Sequence, residues 1–218
     1  MNRRRIPRRE FLRFTALAAG GAAALPGAPQ DDPGLPRVLL IGDSISMGYT
    51  EPVRRLLRGK ASVSRIPVNG GPTTNGIQNL ASWLAGGRWD VIHFNWGLHD
   101  LKVDADGKRQ VPIEQYEANL RELVKQLQAT GAKLIWASTT PVPPGKQNPM
   151  RLASDVPIYN AVAKKIMQAN GIPINDLYAF ALPRAGVIQR PSNVHFTDAG
   201  YEELAGQVAA AILKALRR

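Results

Sequence analysis

Nearly all the reactive-looking side chains of this 218-residue chain fall in four short segments. They are Gly42-Asp43-Ser44-Ile45-Ser46-Met47-Gly48, Asn69-Gly70-Gly71-Pro72-Thr73-Thr74, Asn95-Trp96-Gly97-Leu98-His99-Asp100 and Pro191-Ser192-Asn193-Val194-His195-Phe196-Thr197. Such a set suits acyl transfer through a serine. A serine hydroxyl becomes a nucleophile when a base within hydrogen-bond reach takes its proton, and the tetrahedral intermediate requires N–H donors aimed at its oxyanion. Ser44, near a glycine that frees the backbone, is the candidate nucleophile, and His195, from a distant segment, is the candidate base. The glycine-rich turns can expose N–H groups to the oxyanion. Asp43 and Asp100 are read as loop organisers that accept backbone N–H bonds, and Asp176 as shaping the loop after the fifth strand. His93 sits inside an apolar run and is read as a core histidine; Trp96 and Tyr49 suit either a cleft wall or the core.

Other chemistries fit less well. Asp43, His99, Asp100 and His195 could converge on a metal ion in a phosphoester hydrolase, but the chain has only three histidines and no paired-histidine or Asp-X-His spacing. No Gly-X-Ser-X-Gly occurs, which argues against a nucleophile elbow. The first segment lacks the glycine- or hydroxyl-rich run that cradles phosphate. The chain has no cysteine, which excludes disulfides, thiolate metal sites, a cysteine nucleophile and a lipoprotein attachment site.

The elements that must position these residues alternate between two periods. Strands are expected at 37–41, 62–68, 90–94, 133–137 and 172–174. Helices are expected at 52–57, with Pro52 at its start and Gly59 at its end, and at 74–84, where Ile77, Leu80 and Leu84 share a face. Three more are expected at 113–128, 155–168 and 198–216, the last with Thr197 as N-cap. Strand–helix alternation repeated five times predicts a three-layer α/β/α domain over 37–218 with a parallel sheet. Right-handed crossovers then gather the loops that follow the strands along one edge, where such folds bind ligands. No internal repeat or second domain is visible.

The first stretch reads as an export signal. Arg3, Arg4, Arg5 and the run Pro7-Arg8-Arg9-Glu10-Phe11-Leu12-Arg13 precede an uncharged Ala/Gly-rich segment and small residues Gly27 and Ala28. The pair Arg8-Arg9 is of the twin-arginine type, so 1–28 is expected to direct export to the periplasm or beyond, with 29–36 as linker. The apolar run falls short of the ~20 residues of a membrane span. Six arginines and one glutamate give 1–28 a charge of +5 out of the chain's +11, leaving +6 for the rest. That mild excess, without a basic stripe interleaved with aromatics, is no footprint of nucleic acid. The expected partner is a small-molecule or glycan ester, with no cofactor, no metal and no stable membrane insertion; the oligomeric state stays open.

Together, Gly42-Asp43-Ser44, Asn69-Gly70-Gly71, Gly97-Leu98-His99-Asp100 and Val194-His195-Phe196-Thr197 resemble the four blocks of the SGNH (GDSL-type) hydrolase family, over about residues 37–216. Thr139-Thr140-Pro141-Val142-Pro143 resembles the loop after that family's fourth strand. The resemblance implies a flavodoxin-like sheet of order 2-1-3-4-5, Ser44 as nucleophile and His195 as base. It further implies an oxyanion hole of Ser44, Gly71 (or, in the other register, Gly70) and residue 99. Two positions depart from the pattern. The third block has His99 in place of asparagine, and an imidazole N–H can make the same donation. The fourth has Ser192 where an aspartate normally precedes the histidine, leaving Ser192 or Asn193 to orient the ring, or a Ser44–His195 dyad. The activity implied is ester hydrolysis, on carbohydrate, lipid, thioester or aryl esters alike; the expected export without an anchor makes short acyl esters of carbohydrate, O-acetyl above all, the first choice. Lipid or thioester hydrolysis, acyl transfer, and a glycan-binding relic without turnover are the alternatives.

Overall fold

The computed structural model describes residues 34–145 and 147–217; the expected export signal and residues 29–33 of the linker lie outside the described residues. Short aliphatic runs form the strands because a parallel sheet covered on both faces buries every side chain along them. The strands are β1 (Arg37–Ile41), β2 (Ser62–Arg65), β3 (Val91–Phe94), β4 (Lys133–Ala137) and β5 (Ile174–Asn175). They pair in parallel in the order β2-β1-β3-β4-β5, as expected. Val38 is level with Val63 on one side and Val91 on the other, so β1 and β3 end together at Ile41 and Phe94.

Helices α1 (Ser44–Leu56), α2 (Thr73–Leu84), α3 (Ile113–Gln128) and α4 (Asp155–Ala169) alternate with the strands. The short α5 (Leu177–Ala181) and α6 (Ala185–Ile188), joined by a 3-10 turn, lead to α7 (Asp198–Leu216). Helix α1 packs on α7, while α2 packs on α3 and α3 on α4. The α1–α7 contact is close at Gly48, where an added Cβ would lie 2.2 Å from the Tyr201 ring. No helix among the described residues is long and apolar enough to cross a membrane.

Several boundaries differ from expectation. The first helix starts at Ser44, not at Pro52, which lies inside it. Asp43 caps the earlier start: its Oδ1 accepts the Ile45 N–H at 2.9 Å. Pro52 then forgoes only its own N–H bond, leaving the Gly48 carbonyl four residues back without that donor. Strand β2 stops at Arg65: the Ile66 N–H still meets the Leu40 carbonyl at 3.2 Å, and Pro67, which has no N–H, cannot continue the ladder. Helices α5 and α6 are too short to carry a period and were not expected. Ile77 is exposed; Leu80 and Trp83 fill the buried face of α2 instead. Trp96 and Tyr49 belong to the core.

His93 lies in β3 with no solvent exposure, its Nε2 3.2 Å from Asn175 Nδ2 and its ring edge-on to Tyr49. Burial lowers its pKa to about 4 from the ordinary 6.5. The unfolded chain therefore binds a proton at this position through a pH range in which the folded one does not. Stability is expected to fall as pH drops from about 6.5 toward 4, by about 3 kcal/mol for this residue alone. Urea unfolding across that range checks it, and His93→Gln should flatten the slope.

Candidate active site

Ser44 opens α1, so its N–H is one of the first-turn donors that lack an intrahelical acceptor, at the positive end of the helix dipole. Its position is held from behind. The Gly42 carbonyl accepts from the Gly70 N–H at 2.9 Å and from Arg65 Nη2 at 3.0 Å. Arg65 also reaches Ser46 Oγ (3.2 Å) and the carbonyls of Ile66 (2.6 Å) and Val68 (3.0 Å). One guanidinium thus joins the serine loop to the glycine loop. Sequence reasoning passed over Arg65; the available signal was a lone arginine ending a strand just before Asn69-Gly70-Gly71.

His195 arrives on the loop before α7. Gln189 and Phe196 form a bridge across that loop, and buried Gln189 donates to the carbonyls of Pro141 (2.7 Å) and Val194 (3.1 Å). Gln189 was also missed. Thr197 caps α7 as expected, accepting the Gly200 N–H at 3.1 Å. The result brings His195 Nε2 within 2.9 Å of Ser44 Oγ.

The other face of the ring meets Asn193, not Ser192. Asn193 Oδ1 lies 2.7 Å from His195 Nδ1 and 3.0 Å from the His195 backbone N. A backbone N–H can only donate, so the carboxamide oxygen faces it; the same oxygen then requires a proton on Nδ1 and leaves the Nε2 lone pair toward Ser44. Exposed Ser192 takes φ +51 and turns the chain. Burial, then Arg190 and Arg151, lower the His195 pKa, while Asp43 raises it.

His99 lines the same cleft, of about 320 Å³, with Ser44 and His195. Lys102 Nζ sits 3.0 Å from His99 Nδ1. An ammonium only donates, so Nδ1 accepts and the ring proton is on Nε2. Burial first, then Lys102, Arg151 and His195, lower the His99 pKa to about 4, so the ring is neutral at ordinary pH. Gly71, at φ +62, does not present a free N–H: Asn69 Oδ1 accepts it at 3.0 Å. The Gly70 N–H is likewise spent, on the Gly42 carbonyl at 2.9 Å.

The two candidate loop organisers lie beneath the cleft. Asp43 caps α1, and Asp100, with no solvent exposure, accepts both the N–H (2.8 Å) and the hydroxyl (2.5 Å) of Thr73 at the start of α2. Burial pushes the Asp100 carboxyl up to about 7 against those two hydrogen bonds. Asp176 caps α5 and accepts Ser138 Oγ at 2.8 Å. Among the described residues no three His, Asp or Glu side chains are grouped to hold a metal ion.

The sequence model of the GDSL-like lipase/acylhydrolase family matches residues 40–203. The chain belongs to that family, the SGNH hydrolases. It is therefore a carboxylic ester hydrolase. Solved structures agree in fold. The acetyl xylan esterase AlAXEase superposes with a TM-score of 0.70 at 16% identity, covering 81% of this chain and 99% of its own. A lipase/acylhydrolase from Enterococcus faecalis gives 0.70 at 21% identity, covering 81% and 95%. The acetylxylan esterase Axe2 from Geobacillus stearothermophilus gives 0.65 at 20% identity, covering 83% and 93%. No curated protein sequence matches the chain.

With His195 as the candidate base and Asn193 as its candidate orienter, kcat/KM is expected to fall along an acid limb as pH drops through the His195 pKa, which burial holds below the ordinary histidine value. Asn193→Asp puts a charge beside Nδ1 and should move that limb up by about one pH unit or more. Ser192→Ala should leave it in place. A limb unmoved in Asn193→Asp shows that residue 193 does not hold the ring.

Proposed function

We propose that the protein is an exported serine esterase that removes short acyl groups, O-acetyl above all, from carbohydrate through a Ser44 acyl-enzyme. The observation that carries this is the chain of contacts Asn193 Oδ1–His195–Ser44 Oγ, 2.7 and 2.9 Å long, at the N-terminus of α1. Ser44 Oγ attacks the ester carbonyl as His195 Nε2 takes its proton. The oxyanion that forms is met by the Ser44 N–H, by His99 Nε2–H and, once Asn69 swings aside, by the Gly71 N–H. Collapse expels the alcohol with the proton from His195. Water, activated by the same ring, then releases the acid.

Asn193 is the acid's stand-in for orientation only. Its neutral oxygen fixes the tautomer but offsets less of the imidazolium charge than a carboxylate does. His99 fills the third donor position, and Lys102 keeps its proton on Nε2. The acetyl preference is supported by two neighbours in fold that bear acetylxylan esterase names, and by a modest cleft with mostly polar walls. Export rests on Arg8-Arg9 and the apolar stretch after it.

Acetate release from acetylated xylan and p-nitrophenyl acetate hydrolysis test the reading. Ser44→Ala and His195→Ala should each lose about 10³-fold or more. Rates equal to wild type in Ser44→Ala would remove the nucleophile. For residue 99, Ala should cost about 10²-fold in kcat, and Asn should recover most of that loss. If His99→Ala keeps full kcat, the imidazole is not an oxyanion donor.

A further inference from the structure

One wall of the cleft carries two cations that the reaction does not consume. It is made where the excursion after β3 meets the segment before α4: Lys102 and Arg151 form an antiparallel bridge, and the Val103 N–H donates to the Met150 carbonyl at 2.9 Å. Arg151 is only 5% exposed, yet it lines the cleft beside Ser44. Its Nε donates to the Leu98 carbonyl at 2.7 Å and its Nη1 to the Pro149 carbonyl at 3.2 Å, which leaves Nη2 uncommitted. Lys102 spends one N–H on His99 and keeps two.

A buried guanidinium is normally matched by a carboxylate, because burying an unpaired charge is expensive. Among the described residues neither cation has one within ion-pair distance. The carboxylate nearest by sequence to Arg151, Asp155, is held at both oxygens by Arg109, at 2.6 and 3.0 Å. Asp104 lies on an exposed turn, and Asp43 is occupied in capping α1. No aspartate or glutamate lines this cleft. Burial lowers the pKa of both Arg151 and Lys102; the more distant charge of Asp43 acts the other way on both, and Asp100 and Asp104 on Lys102, without forming an ion pair with either.

We propose that Lys102 and Arg151 form a subsite for an anionic substituent, so that the preferred substrate is an ester on an acidic sugar bearing a carboxylate or sulfate close to the acyl group. The proposal rests on the esterase reading for the position of the ester at Ser44. The anion completes the charge of a wall that is otherwise one-signed. Arg151 presents the N–H groups of Nη2, and Lys102 a point charge beside them.

The test uses three mono-O-acetylated methyl glycosides: the neutral glucoside, the glucuronide and the glucoside 6-sulfate. Each is titrated into Ser44→Ala protein by calorimetry, and each is offered to wild type for hydrolysis. The charged esters are expected to bind at least tenfold tighter than the neutral one, with the excess shrinking as salt rises. Adding Lys102→Gln should remove most of the excess. Adding Arg151→Lys, which keeps the charge and loses the Nη2 donors, should weaken both charged esters and leave the neutral one unchanged; circular dichroism checks that both variants fold. The glucuronide and sulfate arms tell which oxyanion is read. Affinities within twofold across the three esters, or no measurable binding of any, would overturn the subsite. Wild-type turnover of all three at equal rates with equal affinities removes the subsite and leaves the esterase. Tighter binding of the charged esters without any turnover does the reverse.

Discussion

At the end of β1 the chain must leave the sheet, expose a hydroxyl and enter a helix within three residues. The Gly42 carbonyl makes this possible by taking two donors from the neighbouring loop, the Gly70 N–H and Arg65. That double acceptance ties the segment carrying Ser44 to the glycine segment 69–71. An extra Cβ at residue 70 would sit 2.8 Å from the same oxygen, so the approach depends on glycine there. Everything else in the site is arranged around this join. Asp100 anchors the far end of the glycine loop through Thr73, and α7 closes over α1 to deliver His195.

Much of this was legible in the residues themselves. Continuous aliphatic runs in β1, β3 and β4 marked a covered parallel sheet, and three of the four chemistry-bearing segments stood at strand ends because side chains inside such strands are buried; the fourth, 191–197, lies between α6 and α7. The sheet order and the expected oxyanion-hole residues came from likeness to a known family. The start of α1 was hidden because Pro52 resembles a first-turn proline, while Asp43 gives a capping signal only when the next turn is known to be helical. Arg65, Gln189 and Lys102 were invisible for a common reason. Each acts on a residue's carbonyl or ring through a loop conformation that no periodicity encodes. Whether Ser192 or Asn193 meets the ring turned on one left-handed residue, Ser192, which sequence alone does not reveal.

The electrostatic setting separates this site from one with a carboxylate behind the base. Asn193 contributes geometry without charge, and Arg190, Arg151 and burial all favour a neutral His195. His99 is kept neutral in the same way by burial, Lys102 and Arg151. Burial, with positive charge around it, keeps both rings uncharged, while the Asn193 oxygen and the Lys102 ammonium set their tautomers. That positive charge also favours the negative charge of a tetrahedral intermediate more than it favours an imidazolium, so part of the stabilisation a triad aspartate would give the ring is shifted to the oxyanion.

The hydroxyl and the base are 151 residues apart in the chain, and they meet only through the seating of the last helix on the first. Loop-closure entropy of that length is met before any contact at the site can repay it. Reactivity at Ser44 therefore requires that α7 be docked on α1. A fluorescent phosphonate added during refolding becomes a clock for the docking of α7, reading the completion of the fold at a single atom.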